Sequence, residues 1–166
     1  MSTKALAKLR KARSGGGFSI TQNTLTPWID QERSPVTSEM VNAGMLALRD
    51  TADEMIDHSA GRIESNRSVW RGTLINSGYV RDTREGYEVG YKAAHAAPVE
   101  HGSRPHRAPW EPIQKWADAH GIDPGKVWGK IWKRGTRAKP FWRPTLARVD
   151  GMWRKNLRRR FKEVGK

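Results

Sequence analysis

The sequence predicts an α+β fold: a small antiparallel sheet packed with a long helix and a C-terminal amphipathic helix, preceded by an extended N-terminal arm. Three observations lead to this fold class. Apolar residues recur every three or four positions after residue 37, and two short segments of strand character follow. Near the end of the sequence, apolar residues recur again at helical spacing. The 166 residues are enough for one ordinary domain with arms. We expect a flexible basic arm at 1–36 and a folded domain at 37–166, with a helical insertion at about 109–135.

The predicted arm has two parts. Residues 1–17 hold five Lys or Arg and no Asp or Glu, and they end in three consecutive glycines. Residues 18–35 are polar, contain two prolines, and keep neither a helical nor a strand period for long. The second part of the arm contains five scattered apolar side chains: Phe18, Ile20, Leu25, Trp28 and Ile29. We expect them either to contact a neighbouring subunit or to fold back onto their own domain.

The first long helix is predicted from Thr37 to about Ser59. One apolar stripe defines it, made of Val41, Met45, Leu48, Ala52 and Met55. Thr37 or Ser38 can cap its start, Glu39 suits the helix dipole there, and Gly61 suits its end. We interpret the stripe as core packing.

Strand character follows the helix. Residues 68–80 contain β-branched and aromatic side chains, 83–86 have the composition of a turn, and 87–91 alternate apolar with polar residues. Together these segments predict a hairpin. A brief helical turn is expected at 93–97, after which 99–102 should extend again as a strand that runs into a turn at Gly102.

Three further helices complete the prediction. The first runs from Trp110 to His120 with Gly121 as its terminator, and the second opens at Asp123 and Pro124 and ends at Gly135. The final helix starts near Pro144 and has a clean apolar rhythm of Leu146, Val149, Trp153, Leu157 and Phe161. Its other positions are largely basic.

The net charge of +14 is concentrated at the two ends of the chain. Residues 126–166 carry 15 basic and two acidic side chains, whereas residues 18–125 carry 11 basic and 15 acidic ones. This imbalance favours a polyanion or an acidic protein as a neighbour, the alternative being a solvated surface. The candidate contacts lie on the final helix: Arg154, Lys155, Arg158, Arg159 and Lys162.

No pattern in the sequence indicates catalysis. There is no Cys, no phosphate-binding glycine loop of the Walker type, no Gly-x-Ser-x-Gly elbow and no His-Glu-x-x-His pair. His95, Glu100, His101 and His106 cluster in sequence, but their spacing matches no metal-ligand template. Asp53, Glu54 and Asp57 are better explained as a solvated helix face than as an acid/base pair. We therefore expect no catalytic residue, no cofactor, no metal site and no membrane segment or secretory signal.

Two segments resemble the neck and tail-completion family of minor tail proteins, typified by the gene-ten product of a lambdoid siphophage. The first is the run from Ala93 to Ser103, with the core Val99-Glu100-x-Gly102-Ser103. The second runs from Arg134 to Leu146, with the core Pro140-Phe141-x-Arg143-Pro144. The resemblance covers roughly residues 40–160. The chain departs from the family pattern at His95, Ser103 and Thr145, where Tyr, Thr and Ala are usual.

The resemblance implies a structural virion protein at the head–tail junction, made in the host cytoplasm. Members of this family complete or cap the tail tube and join it to the head, as rings usually of six copies around the DNA channel. The implied partners are other copies of the chain, connector and tail-tube proteins, and the DNA in the channel. We also predict that Glu100 contacts Arg143 and so joins the two motif segments. The competing hypotheses are a non-enzymatic nucleic-acid-binding protein that uses its basic termini, and a hydrolase or nuclease, for which no residue stands out.

Overall fold

The computed structural model describes the backbone of residues 18–21, together with residues 37–68 and 71–165. Their order is β1 (Phe18–Thr21), α1 (Ser38–Ser65), β2 (Gly78–Thr83), β3 (Gly86–Tyr91), α2 (Ala96–His101), α3 (Trp110–Ala119), α4 (Pro124–Arg134), α5 (Trp142–Leu146) and α6 (Val149–Val164). The predicted α+β fold class is confirmed.

Helix α1 is the central element of the domain, since α6 and the sheet both pack on it. The Thr37 hydroxyl accepts the N–H of Met40 at 3.3 Å, which confirms the predicted cap. The predicted end at Gly61 is wrong, because the helix continues to Ser65 and buries Ile63 completely. Burying that side chain outweighs the cost of about 1 kcal/mol for a glycine inside a helix. The stripe is buried at its centre, but Val41 at its start is 45% exposed.

The sheet has three antiparallel strands in the order β1-β3-β2. Strands β2 and β3 form the predicted hairpin, with Thr83 opposite Gly86 beside the turn. The predicted strand over residues 68–80 is largely wrong, since residues 71–77 form turns and a short 3₁₀ helix at Ile75–Ser77. Arg71 and Gly72 both have positive φ, and this left-handed backbone prevents extension before Gly78.

Part of the predicted arm lies in the sheet. Residues 18–21 pair with β3 of the same chain in the register Phe18 opposite Val89 and Thr21 opposite Gly86. The sequence did not indicate this strand, because four residues are too few to show a period. Leu25, Trp28 and Ile29, and the basic residues of 1–17, lie outside the described residues.

Residues 99–102 do not form the predicted strand. Val99 and Glu100 lie in helix α2 rather than in a strand. The alanines before them favour a helix, and Pro98 falls in the first turn, where a proline is tolerated. Gly102, with φ of 73°, ends the helix in the turn that its sequence predicts.

Helices α3 and α4 form a helical hairpin over the residues where the insertion is expected. The Asp123 carboxylate caps α4 by accepting the N–H of Gly125 at 2.7 Å. Gly121 and Gly135 both have positive φ and end the two helices where predicted. Ala117 is the fully buried residue between the two helices.

The final helix is divided into α5 and α6, with a break at Ala147 and Arg148. Helix α6 packs along α1, and β3 also packs on α1. The interior between them is formed by Leu48, Met55, Ile63, Leu74, Val89, Tyr91, Phe141, Trp142, Met152 and Trp153. Phe161, predicted as part of the apolar rhythm, is 39% exposed near the end of α6.

Candidate functional site

The two motif segments meet at the carboxylate of Glu100. Its Oε2 accepts the backbone N–H groups of Phe141 at 2.7 Å and Trp142 at 2.8 Å, and its Oε1 accepts that of Arg143 at 3.0 Å. The Nε of Arg143 adds a fourth hydrogen bond at 3.3 Å. The predicted contact between Glu100 and Arg143 is confirmed, and the carboxylate also caps the start of α5.

The environment of Glu100 keeps it charged. The side chain is 6% exposed, and burial alone would raise its pKa. The hydrogen bonds from the backbone of Trp142, Phe141 and Arg143 outweigh that effect, so the pKa of Glu100 lies below its ordinary value. A buried anion held by three backbone donors fixes the position of one chain segment against another, which is a structural role.

A backbone bridge joins the same two segments a few residues away. The N–H of Ser103 donates to the carbonyl of Thr136, and the N–H of Thr136 donates to that of Ser103, each at 3.1 Å. Gly102 and Gly135 flank this bridge with φ of 73° and 71°. A Cβ at either glycine would clash with the backbone opposite it, so the close approach requires glycine at both positions.

Phe141 and Trp142 point into the core. Both rings meet the ring of Tyr91 edge to face, with centroid distances of 5.2 Å and 5.9 Å. The Tyr91 hydroxyl lies 2.6 Å from that of Ser59 on α1. The second motif segment is therefore attached to both α1 and the sheet.

Pro140 and Pro144 lie on either side of this core contact. The carbonyl of Pro140 accepts a hydrogen bond from Nδ2 of Asn66 at 3.0 Å, just after the end of α1. Pro144 lies in the short helix α5, at its third residue. The amide of Asn66 thus ties the end of α1 to the second motif segment.

The predicted basic contacts of α6 are largely paired within the chain. Lys155 reaches Glu54 of α1 at 2.5 Å, and Arg159 reaches Asp50 at 2.8 Å. Arg154 pairs with Asp150 on its own helix. Within the described part of the chain, Arg158 and Lys162 have no carboxylate within 4 Å and keep an unpaired charge.

Two charged residues that the sequence analysis did not single out hold α6 against α1. Arg160 binds the Asp50 carboxylate with two hydrogen bonds, of 2.7 Å from Nε and 2.8 Å from Nη2. The hydrogen bond from Arg160 is the main reason that the pKa of Asp50 is lowered. The sequence signal was weak, because Asp50 and Arg160 are far apart in sequence and nothing local links them.

Among the described residues, the remaining titratable clusters are not arranged as a metal site. Across residues 37–68 and 71–165, no group of three or more His, Asp or Glu side chains is arranged to hold a metal ion. This includes the sequence cluster at His95, Glu100, His101 and His106, whose Glu100 is occupied by backbone N–H groups. Among the described residues, no helix is both long and apolar enough to cross a bilayer.

The chain was also compared with known proteins. No protein-family model matches it, and neither a curated protein nor a solved structure shows significant similarity to it.

Proposed function

We propose that this protein is a non-enzymatic structural component of a bacteriophage virion. In this proposal it lies at the head–tail junction, where it completes or caps the tail tube and joins it to the head around the DNA channel. The observation that carries the proposal is the convergence of the two resembling motif segments on Glu100. Residues that are 41 or more positions apart supply one buried, fully hydrogen-bonded junction, so the motifs act together in the fold.

The distribution of charge supports assembly with other copies of the chain. The exposed surface of α1 carries acidic side chains, among them Asp57 and Glu64, whereas α6 exposes Arg158 and Lys162. Surfaces of opposite charge at different places on one chain favour a head-to-tail contact between copies, and such contacts close into rings when the rotation allows. The proposed partners are therefore further copies, usually six, together with connector and tail-tube proteins.

Electron microscopy of the purified full-length protein tests this proposal. The protein is imaged by negative stain alone and with tail tubes of the same virion, and its mass distribution is measured in parallel. We expect a ring of one size, either in isolation or at the end of the tube. Tubes from an unrelated virion serve as the control and should remain uncapped.

Two outcomes would contradict the proposal. One is a monodisperse monomer that binds neither tail tubes nor head connectors at any tested concentration. The other is the absence of this chain from mature particles, as measured by mass spectrometry of purified virions.

A further inference from the structure

The α3–α4 hairpin projects from the domain on a narrow base. The Ser103–Thr136 bridge closes its two ends, and the two helices pack mainly on each other. Residues 104–134 carry seven basic and three acidic side chains. The hairpin is thus a small basic module that is accessible on several sides.

Three tryptophans form a continuous aromatic surface on this module. Trp128 lies in the centre, and its indole N–H donates to the carbonyl of Ala108 at 2.9 Å, which fixes the ring. The centroid of Trp110 lies 6.5 Å from it on one side, and that of Trp132 lies 5.4 Å from it on the other. Trp110 and Trp132 are each 49% exposed, so two indoles remain half open to a ligand.

Among the described residues, the cations of α4 are unpaired, whereas four of the six cations of α6 are paired within the chain. Lys126, Lys130, Lys133 and Arg134 have no carboxylate within 4 Å among the described residues, whereas three of the six α6 cations pair with carboxylates of α1, namely Lys155, Arg159 and Arg160. Lys126 and Lys133 are seven residues apart and therefore lie on one side of α4. Between that side and Trp132 lies Gly129, where no atom lies within 4 Å of the position of a Cβ. The helix surface between the ring and the cations is therefore open.

We propose that the α3–α4 hairpin is a binding site for single-stranded nucleic acid. The α4 cations contact the phosphates, and the exposed faces of Trp132 and Trp110 stack on unpaired bases. This pairing of flat rings with unneutralised cations favours a nucleic acid over a membrane, because Val127 and Ile131 of α4 are partly covered and cannot insert deeply. It also favours a nucleic acid over an acidic peptide, which offers charge but no row of bases. The proposal is independent of ring formation.

Fluorescence anisotropy of a labelled oligothymidine with the full-length protein measures this binding. If the four α4 cations each neutralise one phosphate, log K should fall against log salt with a slope of about −3 from this site. A duplex of equal length should bind more weakly at the same salt, since its bases are already stacked. Preferential binding to vesicles of phosphatidylglycerol, or to polyglutamate, would overturn the assignment in favour of a lipid or a protein partner.

Matched charge variants locate the site. We expect K126Q/K133Q to weaken binding about tenfold and to make the salt slope less steep by about 1.4. The two substitutions remove one cation from each end of α4, so their effects on the helix dipole offset each other and folding is retained. The control R158Q/K162Q removes the same charge from α6 and should leave the affinity nearly unchanged.

A second variant tests stacking independently of charge. We expect W132A to weaken oligothymidine binding about tenfold while leaving the salt slope unchanged. Equal losses for K126Q/K133Q and R158Q/K162Q would overturn the proposal, because they would show that binding follows net charge. An unchanged affinity of W132A for the single strand would overturn it as well.

Discussion

Glu100 and Arg143 touch twice, because Oε1 of the carboxylate accepts both the backbone N–H and the side-chain Nε of Arg143. The side-chain pair is the weaker part of this contact. The Arg143 side chain is 61% exposed, whereas Glu100 is 6% exposed and also accepts the N–H groups of Phe141 and Trp142. The strength of the junction therefore lies in the backbone donors.

This division can be measured with two substitutions. Glu100→Gln replaces a carboxylate oxygen with an amide group that faces backbone donors, and it should cost about 2–4 kcal/mol of unfolding free energy. Arg143→Gln removes a largely solvated pair and should cost less than about 1 kcal/mol. Urea unfolding of both variants, followed by circular dichroism, gives the two values. Equal costs would show that the ion pair carries the junction.

The same junction predicts a dependence of stability on pH. Because the pKa of Glu100 is lower in the folded protein than in the unfolded chain, its stabilising contribution is complete above the ordinary Glu pKa. The contribution is lost as the pH falls through the lowered folded pKa. The stability difference between wild type and Glu100→Gln should therefore shrink as the pH is reduced from 6 toward 3. A difference that stays constant over this range would contradict the prediction.

His58 adds a second pH dependence. Here the fold disfavours the charged form of the side chain, whereas at Glu100 it favours the charged form. Burial, followed by the nearby charges of Arg148 and Arg62, lowers the pKa of His58 in the folded protein. Its Nδ1 lies 2.8 Å from Oγ1 of Thr145, whose hydroxyl donates to the carbonyl of Phe141, so the imidazole is the donor. Protonation favours the unfolded chain as the pH falls below the ordinary His pKa.

We expect the wild type to lose stability between pH 7 and pH 5 more steeply than His58→Gln, which cannot titrate. Thermal unfolding of both proteins across this range is the measurement. His101→Gln, the same substitution at an exposed histidine, is the control for the loss of an imidazole. Parallel profiles for wild type and His58→Gln would contradict the assignment.

The glycines of the insertion provide a graded test of backbone strain. Gly135→Ala places a Cβ against the carbonyl of Ser103 at positive φ and should cost about 2 kcal/mol or more. Gly121→Ala has the same sign of φ but open space, and it should cost about 1 kcal/mol. Gly129→Ala, in an open helical position, should stabilise the protein by about 0.5–1 kcal/mol. Urea unfolding of the three variants gives this order, and any other order would contradict the assigned backbone.

The attachment of α6 to α1 can be tested at Asp50. Asp50→Asn leaves Arg159 and Arg160 without their shared carboxylate and should cost about 1–3 kcal/mol. Asp53→Asn, which breaks an exposed pair with Arg49 on the same helix, is the matched control and should cost less than about 0.5 kcal/mol. The measurement is the thermal stability of the two variants and the wild type, at low and at high salt. Similar costs for both variants would argue against the Asp50 contact as the main polar link.

Local patterns explain which elements the sequence predicted. The caps at Thr37 and Asp123, the turn before Gly86 and the helix ends at Gly121 and Gly135 depend on side chains within a few residues. These were predicted correctly because the physics that fixes them is local. The contact between Glu100 and Arg143 was predicted only from the resemblance of the two motif segments.

The errors arise where long-range contacts decide the conformation. Glu100 looked like part of a strand, yet the helical conformation of α2 carries its carboxylate to the start of α5. Strand β1 was missed because its conformation depends on the edge of β3. The partnership of Asp50 with Arg160 was missed for the same reason, and it removes much of the free charge that the sequence assigns to α6.

The Ser103–Thr136 bridge has a consequence for the way this chain can vary. The bridge holds both ends of the helical hairpin side by side. The packing of the domain interior therefore depends on the distance between Ser103 and Thr136 and not on the length of the chain that connects them. A chain that links Ser103 to Thr136 by a short turn would keep every core contact of α1, the sheet and α6. The α3–α4 hairpin is therefore a part of the chain whose length or content can change while the scaffold that carries it stays intact.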